Sequence, residues 1–397
     1  MKIFKINGVA QNYAWGGSQF ISQLIGQNQN ELIAEYWMGA HPKASSTVQK
    51  TSKTLIRMIE EFPDKVLGRE VYERFGKLPY LFKVLDVRDM LSIQVHPTKV
   101  EAEKGFRIEN EKSIPLDAFN RNYKDDNHKP EIMVALDDFW LLHGFKSEDL
   151  LLRTLHNVPE LGHLVKIFQN GSYQNLFEYV MRQEQEAVNL NLQDLIDRIS
   201  KSRTIYSKND AEYWALKAYD SFCTEDKMDK GIYSIFFFNI VQMKKGEAIF
   251  QDAGIPHAYL EGQNVELMAN SDNVLRAGLT SKQVDVEELL KLTHFKAVTP
   301  AVLTGEKSAH KYERVYKTRA PDFEISTLQL KHEEEYTAAA YSLEIMIVFH
   351  GKVKVIWQDE EVVAKRGEVI AIFAAADYSI VGEESDSILY KAAVPEQ

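Results

Sequence analysis

A chain of 397 residues is longer than one ordinary hydrophobic core serves, so two or three domains are expected. Its 45% hydrophobic and 26% charged residues are those of a soluble globular protein, and the formal net charge of −11 argues against nucleic-acid binding while leaving room for an anionic substrate held by local charge. The single cysteine, Cys223, excludes an intrachain disulfide and fits a reducing cytoplasm; it reads as a small apolar filler rather than a nucleophile.

The N-terminal stretch MKIFKINGVAQNYAWGG has no apolar run long enough for a signal peptide. The most apolar stretches, YSIFFFNIV and EVIAIFAAA, fall far short of a membrane span and read as buried strands. Residues 1–50 read as short strands broken by turns, and residues 52–76 as helical, interrupted at Pro63. Strand patterns follow at LPYLFKVLDV, LSIQVHP and EIMVALDDFWLLHGF. At Ser147 the texture changes: a Ser followed by acidic residues opens a run of helically spaced segments that lasts to about residue 228. Strands resume in GIYSIFFFNIVQMKKGEAIF, a short helix is expected at DVEELLKLTHF, and the chain from about residue 300 onward is strand-rich.

An internal echo links KKGEAIFQDAGIPHAYLEG, from Lys244 to Gly262, with KRGEVIAIFAAADYSIVG, from Lys365 to Gly382. Both run from two basic residues and Gly-Glu through a strand, a turn and a second strand to Gly, with one gap between them. The second copy has no histidine where the first has His257. Paired short strands with Gly turns point to sandwiches or jelly rolls, one with a site and one without.

Gln94 and His96 are two apart on a strand pattern and therefore share a face. Glu131 follows Pro130 at the mouth of the next strand, and Gly254 and Pro256 shape a turn that delivers His257 at the head of another. Taken singly, each reads as an ordinary polar residue of a strand or turn. Together they form a set of N and O ligands of the borderline kind that suits Zn²⁺, and with one carboxylate against a divalent ion the metal stays a strong Lewis acid. Arg276 and Lys282, in a loop with little hydrophobic periodicity, join Ser92 and Lys129 as a candidate phosphate cradle; a polar surface loop is the competing reading.

The segments QNYAWGG, AEYWMGAHPKASS, LPYLFKVLDVRDMLSIQVHPTK, RNYKDDNHKPEIMVAL and GIPHAYLEGQNVELMANSDNVLRAGLTSK resemble, in order from about residue 10 to 295, the type I mannose-6-phosphate isomerases of the cupin superfamily. Ser281 stands where many members have proline. The resemblance implies one Zn²⁺ held by Gln94, His96, Glu131 and His257, on the family's Q-x-H, K-P-E and P-H-A-Y motifs, and places the active-site arginine at Arg276. It implies a mainly β fold with a helical insertion: a catalytic jelly roll of residues 1–146 and 229–300, a helical domain of 147–228, and a C-terminal jelly roll of 301–397 without metal.

The implied reaction interconverts mannose 6-phosphate and fructose 6-phosphate through a cis-enediol. It needs a Lewis acid, a base of near-neutral pKa and a cationic phosphate anchor. The anchor is assigned to Arg276 with Ser92 and Lys282, although Arg276 beside the enediolate is an open alternative. Lys129, Glu266 and a water on the metal compete as base, and Asp272 is a candidate for assisting ring opening. Tyr259 and Trp15 are placed on the substrate side. His41 and Trp37 are weaker candidates for the sugar pocket. The expected partner is a small sugar phosphate, with no nucleic acid and no membrane, acting on a cytoplasmic monomer. The rival readings are a cupin isomerase for another sugar phosphate, a sugar-phosphate-binding cupin without turnover, and a metal hydrolase.

Overall fold

The computed structural model describes residues 2–27 and 31–396. It is built mainly from antiparallel strands, with the helices of residues 20–75 and those of residues 148–222 packed into two different apolar clusters. An eleven-stranded assembly runs from Val9–Gln11 to Leu275–Arg276. An eight-stranded sheet and a four-stranded sheet carry the chain from Glu306–Lys307 to Ser387–Ala393. The first strand, Ile3–Asn7, joins the eight-stranded sheet through Val369–Ile372 rather than the assembly that follows it in sequence. The outer face of the Tyr80–Val87 and Glu131–Ala135 strands packs on Ile325, Ile345, Ile347 and Val369, so one apolar layer joins the N-terminal and C-terminal parts. Tyr80 pins that layer: its buried hydroxyl lies 2.8 Å from the Leu343 carbonyl and 3.2 Å from that of Ala392.

The helical block runs from Glu148–Asn157 to Ala211–Phe222 and buries its apolar faces with Ile93, Val95, Leu142 and Phe145 of the strands. Pro63 opens a short helix, Pro63–Leu67, between Leu55–Glu61 and Arg69–Phe75, as its missing N–H permits. Two expectations change. GIYSIFF, read as strand, is the helix Gly231–Phe237, and strand begins only at Phe238. Every residue of that helix is buried, so no polar face exists to reveal a helical period. LSIQVHP forms only a two-residue strand, Gln94–Val95, and its alternation stops there: Ile93 and Val95 are fully buried and Gln94 is not, but His96, expected on the Gln94 face, is fully buried too.

The internal echo has a structural counterpart. In both copies the Gly adopts a left-handed φ, 81° at Gly246 and 84° at Gly367, and the Glu carboxylate accepts from the backbone N–H three residues earlier, at 2.7 Å for Glu247 and 2.8 Å for Glu368. The registers agree beyond the turn. Glu131 lies opposite Gln251, and Glu344 opposite Ile372, at matching places after the two glycines. Met133 pairs with Glu266, and Met346 with Lys391. A ladder irregularity between Tyr259 and Glu261 supplies the one-residue gap, so His257 is matched by Tyr378.

Candidate metal centre and substrate cleft

One long strand, His257–Ala269, organises the site. Its first residues pair with Phe139–Phe145 and Gln94–Val95, setting His257 opposite both His143 and Gln94. Its later residues pair with Tyr80–Val87 and Glu131–Ala135, setting Met268 opposite Glu131. The two halves face each other across an interior filled by Leu85, Met133, Ile249, Leu141 and Tyr259. Glu131 and His257 therefore meet although the ladder separates them widely. Gly254, at φ 76°, makes the turn before His257; its N–H bonds the His96 carbonyl at 2.9 Å, and a Cβ there would strike the His294 ring.

His96, Glu131 and His257 are buried, and their donor atoms lie within 4.8 Å of one another. His96 Nδ1 is 2.9 Å from the Asn273 carbonyl, and His257 Nδ1 is 2.9 Å from that of Ile255. A carbonyl only accepts, so each Nδ1 carries the hydrogen and each Nε2 of the neutral ring presents a lone pair. Those lone pairs point at carboxylate oxygens: His96 Nε2 is 3.4 Å from Glu131 Oε1, and His257 Nε2 is 3.4 Å from Oε2. Protonating His96 does not resolve the clash, because burial first, and Lys129 next, push its pKa down to about 4. His96 Nε2 is left buried without a hydrogen-bond partner. Converging acceptors with an orphaned nitrogen are what a divalent cation would satisfy, and this N/O set fits zinc. Burial raises the Glu131 pKa, but Lys129 and His96 outweigh it and hold the carboxyl well below its ordinary range.

Above the cluster opens a cleft of about 1130 Å³, lined by Trp15, Ser92, Gln94, Lys129, Asp272, Arg276 and Lys282 among others. Gln94 bridges the two levels, since it pairs in register with His257 on one side and Arg276 on the other. Lys129 Nζ is 2.7 Å from Glu131 Oε1. Asp272 is held by Lys43 at 2.7 Å, with His41 Nε2 at 3.6 Å. Arg276 and Lys282 have no carboxylate partner among the described residues. Burial lowers the Arg276 pKa, and Arg276 itself is the first cause that lowers that of Lys282.

Tyr259 and Glu266 are buried and, like His96, Glu131 and His257, are not part of the cleft lining; Glu266 lies near enough to Glu131 and Lys129 to feel their charges. The Tyr259 hydroxyl donates to Glu266 Oε2 at 2.8 Å, and Lys83 reaches Oε1 at 3.1 Å. Both Glu266 oxygens are thus engaged, and burial raises its pKa even against Lys83. Lys83, missed in the sequence, also lies 3.4 Å from Glu35, whose carboxylate accepts from the Trp37 indole. It sits inside an eight-residue buried strand, and its partners come from other segments, so no local signal marks it.

The model of the type I phosphomannose isomerase catalytic domain matches residues 3–148. A mannose-6-phosphate isomerase of Escherichia coli (strain K12) is 36% identical over 386 residues, covering 95% of each chain. The chain belongs to the mannose-6-phosphate isomerase family. The human mannose-6-phosphate isomerase is 31% identical over 428 residues, covering 98% of each chain. Among solved structures, a zinc-bound holo mannose 6-phosphate isomerase superposes with a TM-score of 0.88 at 32% identity over the whole of both chains. The apo form from Salmonella typhimurium gives 0.87 at the same identity and coverage. Membership of the mannose-6-phosphate isomerase family thus rests on the full length of the chain, including the C-terminal part where sequence motifs are sparse. No helix among the described residues is long and apolar enough to cross a membrane.

Proposed function

We propose that this protein is a zinc-dependent aldose–ketose isomerase that interconverts mannose 6-phosphate and fructose 6-phosphate. The observation that carries the proposal is the stacking of two features: a buried His96/Glu131/His257 cluster whose lone pairs converge, beneath a cleft holding two unbalanced cations, Arg276 and Lys282. His96, Glu131 and His257 hold the zinc with Gln94, whose strand register places it beside His257. Zinc bound there supplies Lewis acidity toward the O1 and O2 oxygens of the open-chain sugar.

The chain's own groups do the rest. Arg276 and Lys282 repel each other across the cleft, and a phosphate dianion relieves that repulsion, so remote binding energy sets the position of C1 and C2. Ser92 adds a hydroxyl to this anchor, and Trp15 gives the sugar an apolar wall. The base removes a proton from C2 and returns it to C1 through a cis-enediol. Lys129, acting as the neutral amine once its contact with Glu131 is given up to the metal, suits that role better than Glu266, because it lines the cleft whereas Glu266 is buried with both oxygens bonded. Asp272, which lines the cleft, accepts a ring hydroxyl proton in this scheme. The same reading treats residues 1–146 with 229–300, 147–228 and 301–397 as three units of a cytoplasmic monomer.

The test is metal analysis coupled to an isomerase assay on a panel of hexose and pentose phosphates, before and after chelation. One equivalent of zinc, loss of activity on chelation and recovery on zinc addition, with mannose 6-phosphate preferred, is the expected result. Full activity after complete metal removal refutes the scheme, and tight binding without turnover by metal-replete protein makes it a sugar-phosphate-binding cupin.

A further inference from the structure

Behind the metal cluster lies a second crossing between the two halves of the catalytic β assembly. His143 stands opposite His257 in one ladder, and Gln251 stands opposite Glu131 in the other. The two side chains meet in the interior, with His143 Nδ1 2.7 Å from Gln251 Oε1. Two backbone ladders and two side-chain contacts thus close a ring through His257, Glu131, Gln251 and His143. Both added members are buried, Gln251 completely.

The Gln251 amide is half satisfied. Its oxygen accepts from His143, but its Nε2, which carries two hydrogens, has no partner in the buried interior. An orphaned buried donor is destabilising, so its presence calls for an acceptor. Residues directly opposite on adjacent strands have Cβ atoms about 5 Å apart, and the side chain opposite Gln251 is Glu131. Lys129 reaches Glu131 Oε1 at 2.7 Å, but each carboxylate oxygen has two lone pairs, so the oxygen that a metal leaves uncoordinated can accept a further donor.

We propose that His143 and Gln251 are positioning residues for the metal centre. His143 fixes the Gln251 amide, and Gln251 donates to the Glu131 oxygen that zinc leaves free, holding the carboxylate in its ligating orientation. This rests on the reading that Glu131 holds the zinc, and the experiment separates the two. Metal affinity is measured by chelator competition, and ligand geometry by the visible absorption bands of the cobalt-substituted protein. In Gln251→Met, which keeps the shape and removes both polar atoms, the expected result is about a 10- to 100-fold loss of metal affinity with shifted cobalt bands. His143→Leu should reproduce it, and His143→Gln, which keeps a donor toward Gln251, should recover most of it.

Affinity within threefold of the parent and superimposable cobalt spectra in Gln251→Met overturn the proposal, whatever its melting temperature. Should that variant not fold, His143→Leu is judged by the same criterion. If instead Glu131→Ala keeps parental affinity, the ligand assignment itself fails.

Discussion

Replacing Arg276 by methionine tests the anchor and its size can be worked from the site. Two unit charges at about 4 Å interact by about 4 kcal/mol at an effective dielectric of 20, and a phosphate ester carries about −1.5 to −2 charges at pH 7. Arg276 is half-buried in an open cleft, and its pKa is already lowered by burial, so solvent screening and desolvation reduce that attraction. Lys282 remains in Arg276→Met and keeps part of the phosphate's charge balanced. A loss of about 2–3 kcal/mol is expected, equivalent to roughly 30- to 150-fold in kcat/KM. The assay compares mannose 6-phosphate with unphosphorylated mannose at high concentration, at two ionic strengths. The variant should lose this factor on the phosphorylated sugar alone, and its salt dependence should flatten. An equal loss on both sugars refutes the anchor and moves Arg276 to the enediolate. No loss on either removes it from the site.

Three further outcomes follow from named contacts. Glu131→Ala should leave less than one tenth of the parental zinc after dialysis and no measurable turnover, checked by metal analysis and the coupled assay. Tyr80→Phe leaves the Leu343 and Ala392 carbonyls without their buried donor and should cost about 1–2 kcal/mol, read as a lower denaturant midpoint with parental kinetics. Burial raises the Glu313 pKa, but Lys391 at 2.6 Å and the hydroxyls of Ser326 and Ser308 outweigh it and hold the carboxyl below its ordinary range. A depressed carboxyl pKa gives stability that is present above the unfolded value of about 4.3 and fades as pH falls through the folded value. Glu313→Gln should therefore destabilise at pH 7 and match the parent near pH 2, as followed by circular dichroism.

The residues the structure gathers at the metal cluster were readable because each sits in a short motif with its own local logic. His96 ends a Gln-x-His motif, Glu131 follows a proline, and His257 follows a Gly-x-Pro turn. Their convergence was not readable, since it depends on a strand that serves both halves of the assembly. The helix Lys99–Glu111, absent from the sequence expectations, opens on a capping box of Thr98 and Glu101. The helix Gly231–Phe237 was misread for the opposite reason, because a wholly apolar run carries no phase. The burial of Tyr259 and Glu266 is a tertiary fact that their nearness to His257 in sequence does not encode. Lys83, Gln251 and His143 were invisible because their partners arrive from distant segments.

The matching registers of the two β parts have a consequence for how each half keeps its charge in balance. Where Glu266 lies in the first, Lys391 lies in the second, bonded to Glu313 at 2.6 Å and to Tyr336 at 2.9 Å; where His257 stands, Tyr378 donates to Glu344 at 2.6 Å. Burial opposes the Lys391 charge, yet Glu344 and Glu313 hold its pKa above the ordinary value, so the ammonium persists. The C-terminal half thus carries a cation attached to its own backbone, one that has no dissociation constant and no supply to depend on. This ion pair is indifferent to the metal content of its surroundings, and among the described residues the His and Glu cluster that could hold a replaceable ion lies in the first β part.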